Sequence, residues 1–98
     1  MKAVTLLRTR IVYGESAFAE LVLWRVPKVV PGSRHGFKYR LAYVVDGLCV
    51  VRYDNEGGKG DHRHVGGRKH AYAFSTPEAL VSDFQSDIAR WNDENGHA

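Results

Sequence analysis

Ninety-eight residues set a single domain over residues 1–98, because a second hydrophobic core needs roughly another hundred. With 44% hydrophobic and 26% charged residues the chain is too apolar to be disordered, and no run reaches the ~20 apolar residues of a membrane-spanning helix. The net charge of +3 conceals 13 Lys and Arg against 6 acids through residue 70, then Arg90 alone against five acids, so the basic part suits a polyanion such as nucleic acid.

Taken in chain order, residues 3–13 alternate Thr5, Leu7, Thr9 and Ile11 with Leu6, Arg8, Arg10 and Val12, the period of a half-buried strand. Arg8 and Arg10 precede any signal-like apolar run, so secretion is not expected. Gly14 suits the first central position of a II′ turn, which sets Ile11 opposite Phe18, Leu7 opposite Val22 and Thr5 opposite Trp24. The second strand covers 16–26. It breaks at Pro27 into a loop through Pro31, Gly32 and Ser33-Arg34-His35-Gly36.

A second hairpin, 37–45 and 48–54, turns at Asp46-Gly47, the signal of a two-residue I′ loop. That loop pairs Val45 with Leu48, Tyr43 with Val50, Leu41 with Arg52 and Tyr39 with Asp54. The other face pairs Val44 with Cys49 and Arg40 with Tyr53. Cys49, inside a strand, reads as a buried, unreactive thiol. A lone thiol gives no internal disulfide and no two-thiolate zinc site, which fits a reducing cytoplasm. The polar far end of the hairpin gathers Lys38, Tyr39, Arg40, Arg52, Tyr53 and Asp54, a set costly to bury and natural around an open site.

Asn55-Glu56-Gly57-Gly58-Lys59-Gly60-Asp61 reads as a flexible loop, and it lacks the Ser or Thr that follows Gly-Lys in a P-loop. Residues 62–74 form a broken fifth strand, interrupted at Gly66-Gly67. Ser75 as N-cap, Pro77 in the first turn and Glu78 as capping-box partner start a helix over about 76–92. Leu80, Val81, Phe84, Ile88 and Trp91 make its apolar stripe, Asp83, Asp87 and Glu94 face solvent, and 93–98 is a frayed tail. The expected fold is α+β: a mostly antiparallel sheet of about five strands built from hairpins, one face covered by the C-terminal helix and the other face, or its polar end, carrying the site.

The chemistry concentrates between Tyr53 and His64. In an extended segment His62 and His64 share a face about 6.5–7 Å apart while Arg63 takes the other. One histidine can then take a proton from a ribose 2′-hydroxyl while a second group, among His62, His64, Asp54 and Tyr53, serves the leaving oxygen. Arg52, Lys59 and Arg63 would steady the phosphate, with Arg40, Lys38, Asn55 and Asp61 completing the binding set. Alternatively His62 and His64 hold a divalent metal with Asp54 or Asp61 as third ligand. A merely structural, solvated pair is the third reading, and spacing alone leaves all three open. His35 and His70 read as exposed residues, Trp24 and Trp91 as core or interface with base stacking the lesser option, and Asp46 as a turn residue.

The run Lys38-Tyr39-Arg40-Leu41-Ala42-Tyr43-Val44-Val45-Asp46-Gly47, then Arg52-Tyr53-Asp54-Asn55 and Asp61-His62-Arg63-His64, resembles the TumE family of bacterial toxin-antitoxin toxins. The opening Leu6-Leu7-Arg8-Thr9-Arg10-Ile11-Val12-Tyr13 and the closing spacing of Phe84, Asp87, Ile88 and Trp91 agree with it. The resemblance implies a small cytoplasmic toxin with a cognate DNA-binding antitoxin as partner. It also implies a histidine-rich loop where this chain has Glu56-Gly57-Gly58-Lys59-Gly60. Two functions follow as expectations: a small endoribonuclease working without a cofactor through histidine acid-base chemistry, with a divalent metal as the alternative, or a non-catalytic module binding nucleic acid or antitoxin. The uncovered sheet face also offers a homodimer surface.

Overall fold

Alternating strands and tight turns close the chain into one antiparallel sheet, described over residues 2–96 by a computed structural model. Its strands are β1 (Val4–Gly14), β2 (Ala17–Arg25), β3 (Phe37–Val45), β4 (Leu48–Asp54), β5 (His62–Val65) and β6 (Arg68–Ala71), followed by helix α1 (Pro77–Glu94). The strands lie side by side in chain order. Six strands rather than about five arise because Gly66 and Gly67, both at positive φ, turn the expected broken strand back on itself. Of the expected tail, Asp93 and Glu94 extend the helix, while His97 and Ala98, like Met1, lie outside the described residues.

Both hairpins depart from the expected register, the first at its turn and the second through a bulge. In β1–β2 the turn falls on Glu15-Ser16, and Gly14, which is not at positive φ, pairs with Ala17 instead of leading a II′ turn. Shifts between Val12 and Gly14 and between Thr5 and Leu7 each step the register back by one, so Ile11 faces Ala19 and Leu7 faces Leu23 before Thr5 meets Trp24 as expected. In β3–β4, Val45–Leu48 and Val44–Cys49 pair as expected. Beyond them Tyr43 pairs with Val51, Leu41 with Tyr53 and Arg40 with Asp54. Val50 is the extra residue. Its insertion turns Val51 and Tyr53 toward the core and moves Arg52 and Asp54 to the opposite face, exchanging a costly burial of two charges for apolar packing.

Asp46 (φ 51°) and Gly47 (φ 78°) are both left-handed, as a I′ turn demands. A Cβ at Gly47 meets nothing within 4 Å, so strain rather than crowding sets the cost of changing it. Gly47→Ala is expected to lower stability by about 1 kcal/mol, read as a reduced urea midpoint with an unchanged slope.

The helix lies across one sheet face, where Ala19, Leu21, Leu23, Tyr39, Leu41, Tyr43, Val51 and Tyr53 meet Leu80, Phe84 and Ile88 as the core. Thr76 caps it, its hydroxyl oxygen accepting from the Ala79 N–H at 3.1 Å. Ser75 does not, because a residue before proline stays extended, and Thr76 (φ −135°, ψ 158°) immediately precedes Pro77. Three tyrosines tie the helix down: Tyr43 donates to Asn92 at 2.7 Å, Tyr72 to Asp83 at 2.6 Å and Tyr53 to Asp87. Asp87 is therefore only 4% exposed, against the expectation that it faces solvent. Trp91 is half-buried, its ring edge-on to Tyr43 at 6.2 Å.

Candidate active site

Strand alternation and register, not sequence proximity, assemble the site. Asp54 pairs with His62 and Arg52 with His64 across β4–β5, while Arg40 pairs with Asp54 across β3–β4. All five therefore project from the face that the helix leaves open. They line a groove of about 490 Å³ whose remaining cations are Lys59, from the loop before β5, and Lys69, opposite His64 on β6.

At its centre His62 Nε2 lies 3.0 Å from Asp54 Oδ1, and His62 Nδ1 lies 3.0 Å from the carbonyl oxygen of Gly60. The Gly60 carbonyl can only accept, so Nδ1 is the donor there, while Nε2 stands at ion-pair distance from the Asp54 carboxylate without a well-directed hydrogen bond. His64 is its complement. Arg52 Nη2 is 3.1 Å from His64 Nε2, and a guanidinium can only donate, so that nitrogen carries the lone pair. Burial, followed by the neighbouring Arg52 and His62 charges, holds His64 below the ordinary histidine value of 6.5. Arg52 Nε also lies 3.1 Å from Asp54 Oδ2 as an ion pair, without a well-directed hydrogen bond. The two imidazoles meet edge to face, ring centres 5.2 Å apart.

The loop that supplies Lys59 is braced from behind. Gly32, at φ +89°, packs so closely that a Cβ there would fall 2.5 Å from the Gly60 nitrogen, and this contact holds the Gly60 carbonyl that His62 uses. Residues Glu56–Gly58 form a short 3₁₀ turn within this loop, with Gly57 at φ 83°.

Several residues expected in the site are placed elsewhere. Tyr53 is fully buried under the helix, bonded to Asp87 with Arg63 Nη1 3.2 Å from its hydroxyl. Burial, then the Asp87 bond, raises its pKa, so it remains a protonated donor. Arg63 turns to the same side and pairs with Asp87 at 3.0 Å. Asn55 is fully buried. Its amide donates to Phe37 O at 2.8 Å and Ser33 Oγ at 3.1 Å while its oxygen accepts from the Tyr39 N–H, which closes the ends of β3 and β4. Asp61 turns away from His62 and His64, taking bonds from Ser33 Oγ at 2.5 Å and from His35 Nε2 and Tyr39 Oη, each at 2.6 Å. Burial, then that carboxylate, raises the Tyr39 pKa as well.

This removes Asp61 as a third ligand beside His62 and His64. Among the described residues, no group of three or more His, Cys, Asp or Glu side chains is arranged to hold a metal ion. Lys38 stands beside the groove, 3.7 Å from Glu56. His35, expected exposed, is instead stacked on Phe74 with ring centres 3.8 Å apart, whereas His70 is exposed. Cys49 is exposed too, because it occupies the uncovered face.

Lys69 had no sequence signal beyond its charge. What could have pointed to it is the Gly66-Gly67 turn, which folds β6 back and sets Lys69 opposite His64.

Comparison with protein families gives a match over residues 2–92 to the family described as "Toxin TumE". The chain belongs to the TumE toxin family. TumE membership makes it a toxin of a toxin-antitoxin system and implies an antitoxin partner. No curated protein and no solved structure matched. Among the described residues, no helix of this TumE chain is long and apolar enough to cross a membrane.

Proposed function

We propose that this toxin is a small endoribonuclease that cleaves RNA by histidine acid-base chemistry in the cationic groove. The observation that carries the reading is the unlike pair: His64, with a lone pair on Nε2 and its imidazolium form disfavoured, beside His62, whose Nδ1 faces the Gly60 carbonyl and whose Nε2 stands 3.0 Å from the Asp54 carboxylate. A histidine kept neutral beside one held against a carboxylate gives one groove a proton acceptor next to a group placed to donate.

In this reading a phosphodiester enters among Arg40, Arg52, Lys59 and Lys69. Arg52 prefers the phosphate anion to a neutral imidazole, since charge-assisted hydrogen bonds are stronger, and so releases the His64 lone pair. His64 then takes the proton of the ribose 2′-hydroxyl. The 2′-oxygen bonds to phosphorus, the bond to the 5′-oxygen breaks, and His62 gives that oxygen its proton. Asp54 orients His62 and offsets the charge it carries. The cytoplasm is the compartment that supplies this substrate, a DNA-binding antitoxin is the partner, and no metal takes part in the steps.

The test is incubation of antitoxin-free protein with total RNA, with and without EDTA. Products ending in 2′,3′-cyclic phosphate, formed equally in both arms, are expected. Cleavage lost in EDTA and restored by a divalent metal replaces this mechanism with a metal-dependent one, and binding without products at any salt concentration replaces it with sequestration.

The pH dependence follows from His64. A depressed pKa keeps the base available below pH 6.5, so the acidic limb of the cleavage profile is expected to bend below that value. Stability shares the sign: as pH falls past 6.5 the unfolded chain takes up a proton that the folded chain resists, and folding weakens. His64→Gln is expected to remove both the acidic bend and that share of the acid sensitivity.

A further inference from the structure

The face that carries the groove continues, uncovered, across the rest of the sheet. By register one cross-sheet row is Val22, Arg40, Asp54 and His62, and the next position along β2 and β3 pairs Trp24 with Lys38. The Lys38 ammonium lies 5.5 Å from the centre of the half-buried Trp24 ring. From strand spacing and rise, Trp24 stands about 12 Å from Asp54, across two strands and one row. Farther along the same face Arg10 covers the Phe18 ring at 3.9 Å. Between the two rings the face carries Arg8, Arg10 and Arg40 with Val22, Ala42 and one acid, Glu20, so cations outnumber acids there, while the acids of α1 that bind Arg63 and Tyr72 lie on the other side of the sheet.

We propose that this open face is a track for single-stranded RNA, in which Trp24 stacks an unpaired base and Lys38 with Arg40 contact the phosphates that lead into the groove. The proposal rests on the reading of the groove as an RNA-cleaving site and adds what kind of RNA it accepts. An aromatic ring offers a stacking surface to any unpaired base, and a duplex cannot use it because its bases are already stacked on each other. Charge complementarity favours a polyanion over an apolar partner on this surface. Arg40 joins the two regions, belonging to the groove and to the row beside Lys38.

The experiment measures binding without turnover, using the full chain with His64→Ala and a short fluorescein-labelled oligoribonucleotide, single-stranded or annealed to its complement. The single strand is expected to bind more tightly than the duplex. Adding Trp24→Ala should weaken single-strand binding by roughly 10-fold, the order of one lost base stack, and Trp24→Phe should restore most of it. Lys38→Ala should reduce the magnitude of the slope of log affinity against log salt by about 0.7, one phosphate contact on a single strand.

Equal affinities for both Trp24 variants and the parent, or preference for the duplex, overturn the track. So does displacement of an acidic peptide, but not of the oligonucleotide, by these substitutions, since that marks the face as a protein-docking surface. If wild-type protein cleaves RNA while the Trp24 variants leave affinity and KM unchanged, the track fails and the catalytic reading stands. If the strand binds as described and wild-type protein never cleaves it, the track stands and the catalytic reading fails.

Discussion

His64→Ala is expected to remove RNA cleavage by a factor of at least about 10²–10⁴, the usual contribution of one positioned general base, and with it growth arrest. The fold should survive. His64 is half-exposed and its side chain meets Arg52 and the edge of the His62 ring, outside the apolar core under the helix, so surface-level effects of about 0.5 kcal/mol are the scale for its loss. Its neighbour is a poorer choice for the same purpose. His62 is 7% exposed and holds both Asp54 and the Gly60 carbonyl, so His62→Ala should lose activity and loosen the Glu56–Gly60 loop together. Full cleavage by a correctly folded His64→Ala protein would eliminate the mechanism. Circular dichroism and the thermal midpoint, measured on the same preparations, separate the two causes of lost activity.

The largest stability effect is expected away from the groove, at Asp87. Its carboxylate is 4% exposed and receives the Tyr53 hydroxyl and, at 3.0 Å, Arg63 Nη1. Asp87→Ala leaves a buried phenol and a partly covered guanidinium without their acceptor, a loss of about 3 kcal/mol. For a chain of this size that corresponds to a fall of more than about 10 °C in Tm. Asp93→Ala, on the exposed side of the same helix, should change stability by no more than about 0.5 kcal/mol. Similar losses from both substitutions would show that the helix is anchored by its apolar stripe alone and that the tyrosine contacts add nothing.

Much of the architecture was legible because local patterns carried it. The strands β1 to β4, the Asp46-Gly47 turn and the spacing of Leu80, Phe84 and Ile88 each depend on near neighbours, and each forms as read apart from the bulges in β1 and β4. The segment holding Asp54, His62 and His64 was legible for the same reason, since a glycine-bearing loop between two strands returns β5 beside β4. The capping position shifted by one residue on a local rule, the extended backbone required before Pro77.

What the chain by itself determined, then, is a curled run of hairpins with a helix at its end and a cluster of ionisable groups at one bend. Tertiary structure alone decided which of those groups meet. A single extra residue at Val50 reverses the faces of everything from Val51 to Asp54, sending Tyr53 to the core and Arg52 and Asp54 to the histidines. Asp61 and Asp87 were claimed by tyrosines far away in sequence. Strand period is a property of neighbours, but a bulge is chosen by the whole sheet, because only the complete core reveals that burying Val51 and Tyr53 costs less than burying an arginine and an aspartate.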